Sequence, residues 1–146
     1  MSTNYKRTSH TVYDNNYHLV WITKYRYQVL VGDIATRMVE LTRQICQENN
    51  VEIIRGAIGD GNHVHIYVSI PPYISVSKVV QQVKGKTSRK IMQEYPELKK
   101  RYWGRHFWAV GYFSKTAGNV TDEEIKKYIE SHGKDDKYGK FTINHE

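Results

Sequence analysis

His63 and His65 stand two positions apart in the run Asn62-His63-Val64-His65-Ile66-Tyr67-Val68-Ser69-Ile70. Alternate side chains of an extended strand share a face, so both imidazoles point the same way and can reach one metal ion. The same pattern also fits two solvated histidines on a half-exposed strand. A second candidate group lies far downstream, where Tyr128 and His132 sit one helical turn apart. A phenol can act as a nucleophile there and an imidazole as a ligand. Their register with Ile125 and Ile129 equally fits a buried amphipathic ring and a cation near a helix end. The third feature is charge. Between Lys78 and Arg105, nine basic residues, among them Lys84, Lys86, Arg89, Lys90 and Arg105, stand against two acidic ones, an excess as large as the whole chain's net charge of +7. Charge alone fits a solvated helix face, but Tyr95, Tyr102, Trp103, His106, Phe107 and Trp108 thread the same region. Basic residues beside flat rings suit a single-stranded nucleic acid whose bases can stack.

The elements that must position these groups can be read in order. Residues 1–16 are polar and read as a flexible arm. Tyr17 to Tyr25, aromatic and β-branched, reads as a first strand. Asp33 is expected to cap a helix whose Ile34, Met38, Leu41 and Ile45 form one buried stripe. Val51 to Ile58 supplies a second strand, with Gly56 as a candidate bulge, and Gly59-Asp60-Gly61-Asn62 turns the chain into the third. Pro71-Pro72 ends that strand, and Ser75 or Ser77 caps a second helix carrying Val79, Val80 and Val83. Phe107 to Ser114 reads as a fourth strand. The order β-α-β-β-α-β predicts an α+β fold, a ferredoxin-like or RRM-like sandwich with both helices on one face of an antiparallel sheet. The strict alternation of the third strand then sends Val64, Ile66 and Val68 inward and His63, His65 and Tyr67 to the open face. An extra helix starts at the capping box Thr121 to Glu124, carries Tyr128 and closes at Gly133. The division is therefore a core over 17–116, a tyrosine helix over 119–133 and a tail over 134–146.

At 146 residues the chain is expected to form one domain. Its one cysteine, Cys46, falls in a helical pattern, which excludes an internal disulfide framework and fits a reducing compartment. No long apolar run and no basic-then-apolar leader occurs, so no membrane association is expected and the setting is read as cytoplasmic. No phosphate-binding glycine loop is present, and no nucleotide cofactor is expected.

Taken together, Tyr17-His18-Leu19-Val20-Trp21 with Lys24-Tyr25-Arg26, Asn62-His63-Val64-His65-Ile66, Lys84-Gly85-Lys86 with Ser88, Pro96-Glu97-Leu98-Lys99, Phe107-Trp108, Gly111-Tyr112-Phe113 and Val120-Thr121 to Tyr128-Ile129-Glu130 form an ordered set across most of the chain. This set resembles the single-tyrosine HUH transposases of insertion sequences that move as single-stranded DNA. The resemblance implies that His63 and His65 bind a divalent metal ion, Mg²⁺ or Mn²⁺, and that Tyr128 attacks a phosphodiester to form a 5′-phosphotyrosine. It also implies a homodimer, Gly118 as part of a hinge to the tyrosine helix, and basic residues Lys84, Lys86, Arg89, Lys90 and Arg105 holding DNA hairpins at the element's ends. Two positions depart from the pattern. Asn62 stands where many relatives carry Asp, and His132 where many place a Gln ligand, which would give a three-histidine set favouring Mn²⁺ or other transition ions. Two readings rival this one: a non-catalytic RRM-like module in which Tyr67 and Trp21 stack bases of RNA or DNA, and a domesticated relative that nicks and rejoins DNA without moving its own gene.

Overall fold

The computed structural model describes residues 5–102, 106–116 and 121–131. The expected arm is partly ordered. β1 (Lys6–Arg7) and β2 (Val12–Tyr13) pair as a small antiparallel ribbon, and Lys6 forms an ion pair with Glu52. β3 (Asn16–Ile22) is the first strand of the main sheet and ends three residues earlier than Tyr25. Thr23 still bridges to Trp108, but Lys24–Arg26 is a single 3₁₀ turn in which Tyr25 (φ 61°) and Arg26 (φ 53°) are left-handed. Side chains with a Cβ rarely adopt that conformation, so the chain there is held by its surroundings.

α1 (Gly32–Glu48) follows with the predicted stripe of Met38, Leu41 and Ile45 buried. Its start differs from expectation: Val31 occupies the cap position, no side chain caps the end, and Asp33 lies in the first turn, where its charge favours the helix dipole. β4 (Glu52–Gly59) and β5 (His63–Ser69) form a hairpin, with its bulge between Ile53 and Arg55 rather than at Gly56. Asp60 (φ 49°) and Gly61 (φ 67°) make the turn, and positive φ at both central positions gives the twist that suits a tight hairpin. α2 (Val76–Glu94) is capped by Ser75, whose Oγ accepts from the Lys78 N–H at 3.0 Å. A short α3 (Leu98–Arg101), β6 (Phe113–Thr116) and α4 (Asp122–Glu130) complete the order. The last strand is shorter and later than the expected Phe107 to Ser114. Phe107, Trp108 and Ala109 are buried as loop, and Gly111 at φ +90° separates them from β6.

The main sheet has the order β4-β5-β3-β6, all antiparallel, which is the ferredoxin-like arrangement predicted from the β-α-β-β-α-β succession. Leu19, Trp21, Val64, Ile66 and Val68 face α1 and α2 in one core with Met38, Val79, Val80, Val83 and Ile91. Cys46 lies in the same core, where burial pushes its thiol up to about 12 and keeps it inert. Among the described residues no helix is long and apolar enough to cross a membrane.

Gly85 sits inside α2 with nothing within 4 Å of where a Cβ would stand. Glycine in a helix interior costs backbone entropy, so Gly85→Ala is expected to raise stability by about 0.5–1 kcal/mol in urea unfolding. A loss of stability would contradict the open surroundings described here.

Candidate active site on the open face of the sheet

Register decides which side chains share the face opposite α1 and α2. Residues directly across an antiparallel pair point to the same side. β3 therefore contributes His18, Val20 and Ile22, opposite Tyr67, His65 and His63 of β5. β4 adds Arg55, Ala57 and Gly59 beside the same three residues, and β6 adds Phe113 and Lys115 beside Val20 and His18.

His63 is buried, and its Nδ1 lies 3.0 Å from Asn62 Oδ1. A donated Nδ1–H at that contact fixes the ring and puts its lone pair on Nε2, the usual role of a residue behind a metal-binding histidine. Asn62 can accept here as Asp would. The turn carrying Asn62 is itself tied down, because its carbonyl accepts from Thr23 N–H at 2.9 Å and the Gly61 carbonyl accepts from Leu30 N–H at 2.8 Å. The Cε1–Nε2 edge of the His63 ring lies against Gly59: a Cβ there would stand 2.4 Å from both atoms and 3.3 Å from Nδ1. His65, half-buried, contacts His18 with Nε2 to Nδ1 at 3.2 Å. Among the described residues no three His, Cys, Asp or Glu side chains gather closely enough to hold a metal.

α4 packs onto this same face. The capping box is formed as predicted, with Thr121 Oγ1 accepting from Glu124 N–H and the Glu124 carboxylate accepting from Thr121 N–H, both at 3.1 Å. Glu124 also binds Lys115 Nζ at 2.8 Å, which holds its carboxyl below the usual range and ties the helix to β6. Ile129 is buried against Ile22 and Ala109, with Ile125 and Tyr128 packed around them. The Tyr128 ring lies 5.7 Å from that of Phe113, and its hydroxyl oxygen is shielded from solvent. Ile22 is the cross-strand partner of His63, and Phe113 lies two strands from His65 in one row, about 10 Å by ordinary strand spacing. The structure thus brings Tyr128, His63 and His65 to one face of one chain. His132, Arg105 and Gly118 lie outside the described residues.

The basic group divides. Lys86, Arg89 and Lys90 are on α2, with Arg89 and Lys90 exposed and Lys86 3.7 Å from Glu48. Lys84 does not fit a phosphate contact: its Nζ donates to the carbonyls of Ala109 and Gly111, both at 2.8 Å, and burial pushes its ammonium down to about 8. It pins the loop on which Ile129 packs. Trp21 is also corrected, since it is fully buried in the core and cannot stack a base. Two residues were not expected here. His18 belongs to the open face through register alone. Arg26 is buried near α4, where burial lowers its guanidinium and the charge of Glu130 opposes that shift.

Solved structures show where this architecture occurs. A Deinococcus radiodurans crystal structure described as a transposase superposes with a TM-score of 0.79 at 32% identity, covering 86% of this chain and 96% of the other. The REP-associated tyrosine transposase bound to a REP hairpin shares the fold, with a TM-score of 0.53 at 11% identity over 89% of this chain and 69% of the other. The fold is that of a DNA transposase. Residues 11–132 match the family described as "Transposase IS200 like", and the chain belongs to it. It is 38% identical to the ISDra2 transposase TnpA of Deinococcus radiodurans over 120 residues, 82% of this chain and 85% of the relative. With the IS200 transposase of Salmonella typhimurium the identity is 34% over 134 residues, 92% of this chain and 87% of the relative.

Two outcomes test the site's geometry. Gly59→Ala should cost about 1–3 kcal/mol in urea unfolding through collision with the imidazole, and adding His63→Ala should recover most of it; simply additive costs would show that the contact is not the cause. Lys84→Met should destabilise the fold while leaving the slope of DNA affinity against salt unchanged, whereas Arg89→Ala should reduce that slope by about 1. A reduced slope for Lys84→Met would return that residue to the DNA surface.

Proposed function

We propose that the protein cleaves and rejoins single-stranded DNA at the ends of an insertion sequence through a 5′-phosphotyrosine at Tyr128. The observation that carries this reading is the docking of α4 against Ile22, the cross-strand neighbour of His63, which puts a phenol and two imidazoles on one face. In the reaction, α4 shifts to admit DNA and water, the Tyr128 oxygen gives its proton to that water and attacks phosphorus, and the bond from phosphorus to the 3′ oxygen breaks. The leaving oxygen takes a proton and becomes a 3′-OH. Rejoining is the reverse attack, by a 3′-OH on the phosphotyrosine. The energy of the broken bond is kept in the tyrosyl ester, so no nucleotide cofactor is required.

His63 and His65 fit a divalent cation by the chemistry of their donors, two imidazoles that each have one ring nitrogen set by a neighbouring side chain. His132 is the third donor in this reading, and a histidine-rich set favours Mn²⁺ over Mg²⁺. When bound, the ion supplies Lewis-acid polarisation of a phosphate oxygen. Tyr128 is half-buried against Phe113, which orients its oxygen and limits its exposure to water.

The DNA partner follows from charge. Lys86, Arg89 and Lys90 on α2, with Arg105 beyond it, present an excess of positive charge that suits a folded DNA end, and a solved fold neighbour holds a REP hairpin. A homodimer in which Gly118 allows α4 to reach its own or the other subunit's histidines belongs to the same proposal, as does a cytoplasmic setting. The rival base-stacking module loses one of its two platforms with Trp21 in the core.

The test is a denaturing gel of protein incubated with Mn²⁺ and single-stranded DNA carrying the element's own ends. The unmodified protein should form a covalent adduct, and Tyr128→Phe should form none while binding the hairpin as before. Adduct formation by Tyr128→Phe, or none by the unmodified protein, would contradict the proposal.

A further inference from the structure

We propose that His18 is the positioning partner of His65, holding one of its ring nitrogens so that the other is presented to the cation shared with His63. This rests on the metal reading given above and adds a residue to it. His18 is 1% exposed in the middle of β3, a costly place for an imidazole unless its nitrogens are used. Its Nδ1 lies 3.2 Å from His65 Nε2. Two ring nitrogens at that distance share one proton, one donating and the other accepting.

The direction of approach separates a supporting residue from a ligand. His18 is the cross-strand partner of Tyr67 and stacks on it, with ring centroids 4.3 Å apart and planes 24° from parallel. It therefore reaches His65 from the Tyr67 side, whereas His63 lies two residues away along β5 in the other direction. A cation held by His63 and His65 would then meet the His65 ring on the side away from His18. The support continues outward. Tyr67 is covered on its ring by the Arg55 guanidinium at 4.7 Å, and its hydroxyl lies 3.5 Å from Asn16 Nδ2. A column of Arg55, Tyr67 and His18 thus backs His65 as Asn62 backs His63. With His18 accepting, His65 carries its proton on Nε2 and its lone pair on Nδ1.

The experiment titrates Mn²⁺ into the full chain without DNA, by calorimetry or electron paramagnetic resonance, for the unmodified protein, His18→Phe and His18→Gln. His18→Phe keeps a ring to stack on Tyr67 but cannot accept, and should weaken Mn²⁺ binding by about 10- to 100-fold. His18→Gln offers an amide oxygen in its place and should recover most of that loss. Nitrogen-15 spectra of the metal-free unmodified protein give a reading that needs no variant to fold: the His65 proton should be on Nε2. Unchanged affinity in His18→Phe, equal weakening by both variants, or a His65 proton on Nδ1 would overturn the proposal. If the unmodified protein bound no Mn²⁺ at all, the metal reading beneath it would fall first.

Discussion

The two-residue period of β5 governs the rest of the structure. Val64, Ile66 and Val68 must be buried against α1 and α2, because leaving three aliphatic side chains in water would forfeit several kcal/mol, about 1.5–3 for each. Once that face is committed, His63, His65 and Tyr67 have no choice but the other one. A slip of a single residue would bury two imidazoles in an aliphatic core, so the register that folds the domain is the register that builds the site.

The open face of a two-layer sandwich would normally be left to solvent, and here α4 covers part of it. Its hold is modest. Three apolar side chains meet at Ile22, Ala109 and Ile129, one half-buried ion pair joins Lys115 to Glu124, and Tyr128 leans on Phe113. Lys84 takes part from the opposite layer, since the loop it pins through the Ala109 and Gly111 carbonyls supplies the surface on which Ile129 rests. Core packing and the open face are therefore linked through one half-buried ammonium.

Much of this was legible from residues alone. Alternation in β5 identified the histidine face, the stripe in α1 its buried side, and Thr121 with Glu124 the start of the tyrosine helix. Other features were not, for identifiable reasons. Phe107 to Tyr112 has strand-like composition, but the Phe107 and Trp108 rings are buried by packing against Tyr102 and Trp21 while Gly111 turns the chain away from a ladder. Lys84 shows its charge in the sequence but not where its ammonium goes. His18 lies forty-five residues from His63, and only the pairing of β3 with β5 reveals that it touches His65. The ribbon within residues 1–16 is too short and polar to announce itself.

The central claim is that cation and tyrosine share the open face. Titrating Mn²⁺ into isotopically labelled protein and following paramagnetic broadening tests it directly. The account predicts that His63, His65, Ile22, Phe113 and Tyr128 lose their signals first, while Arg37, Glu40 and the rest of α1 stay sharp. Broadening centred on α1 or α2, with the Tyr128 ring untouched, would contradict it.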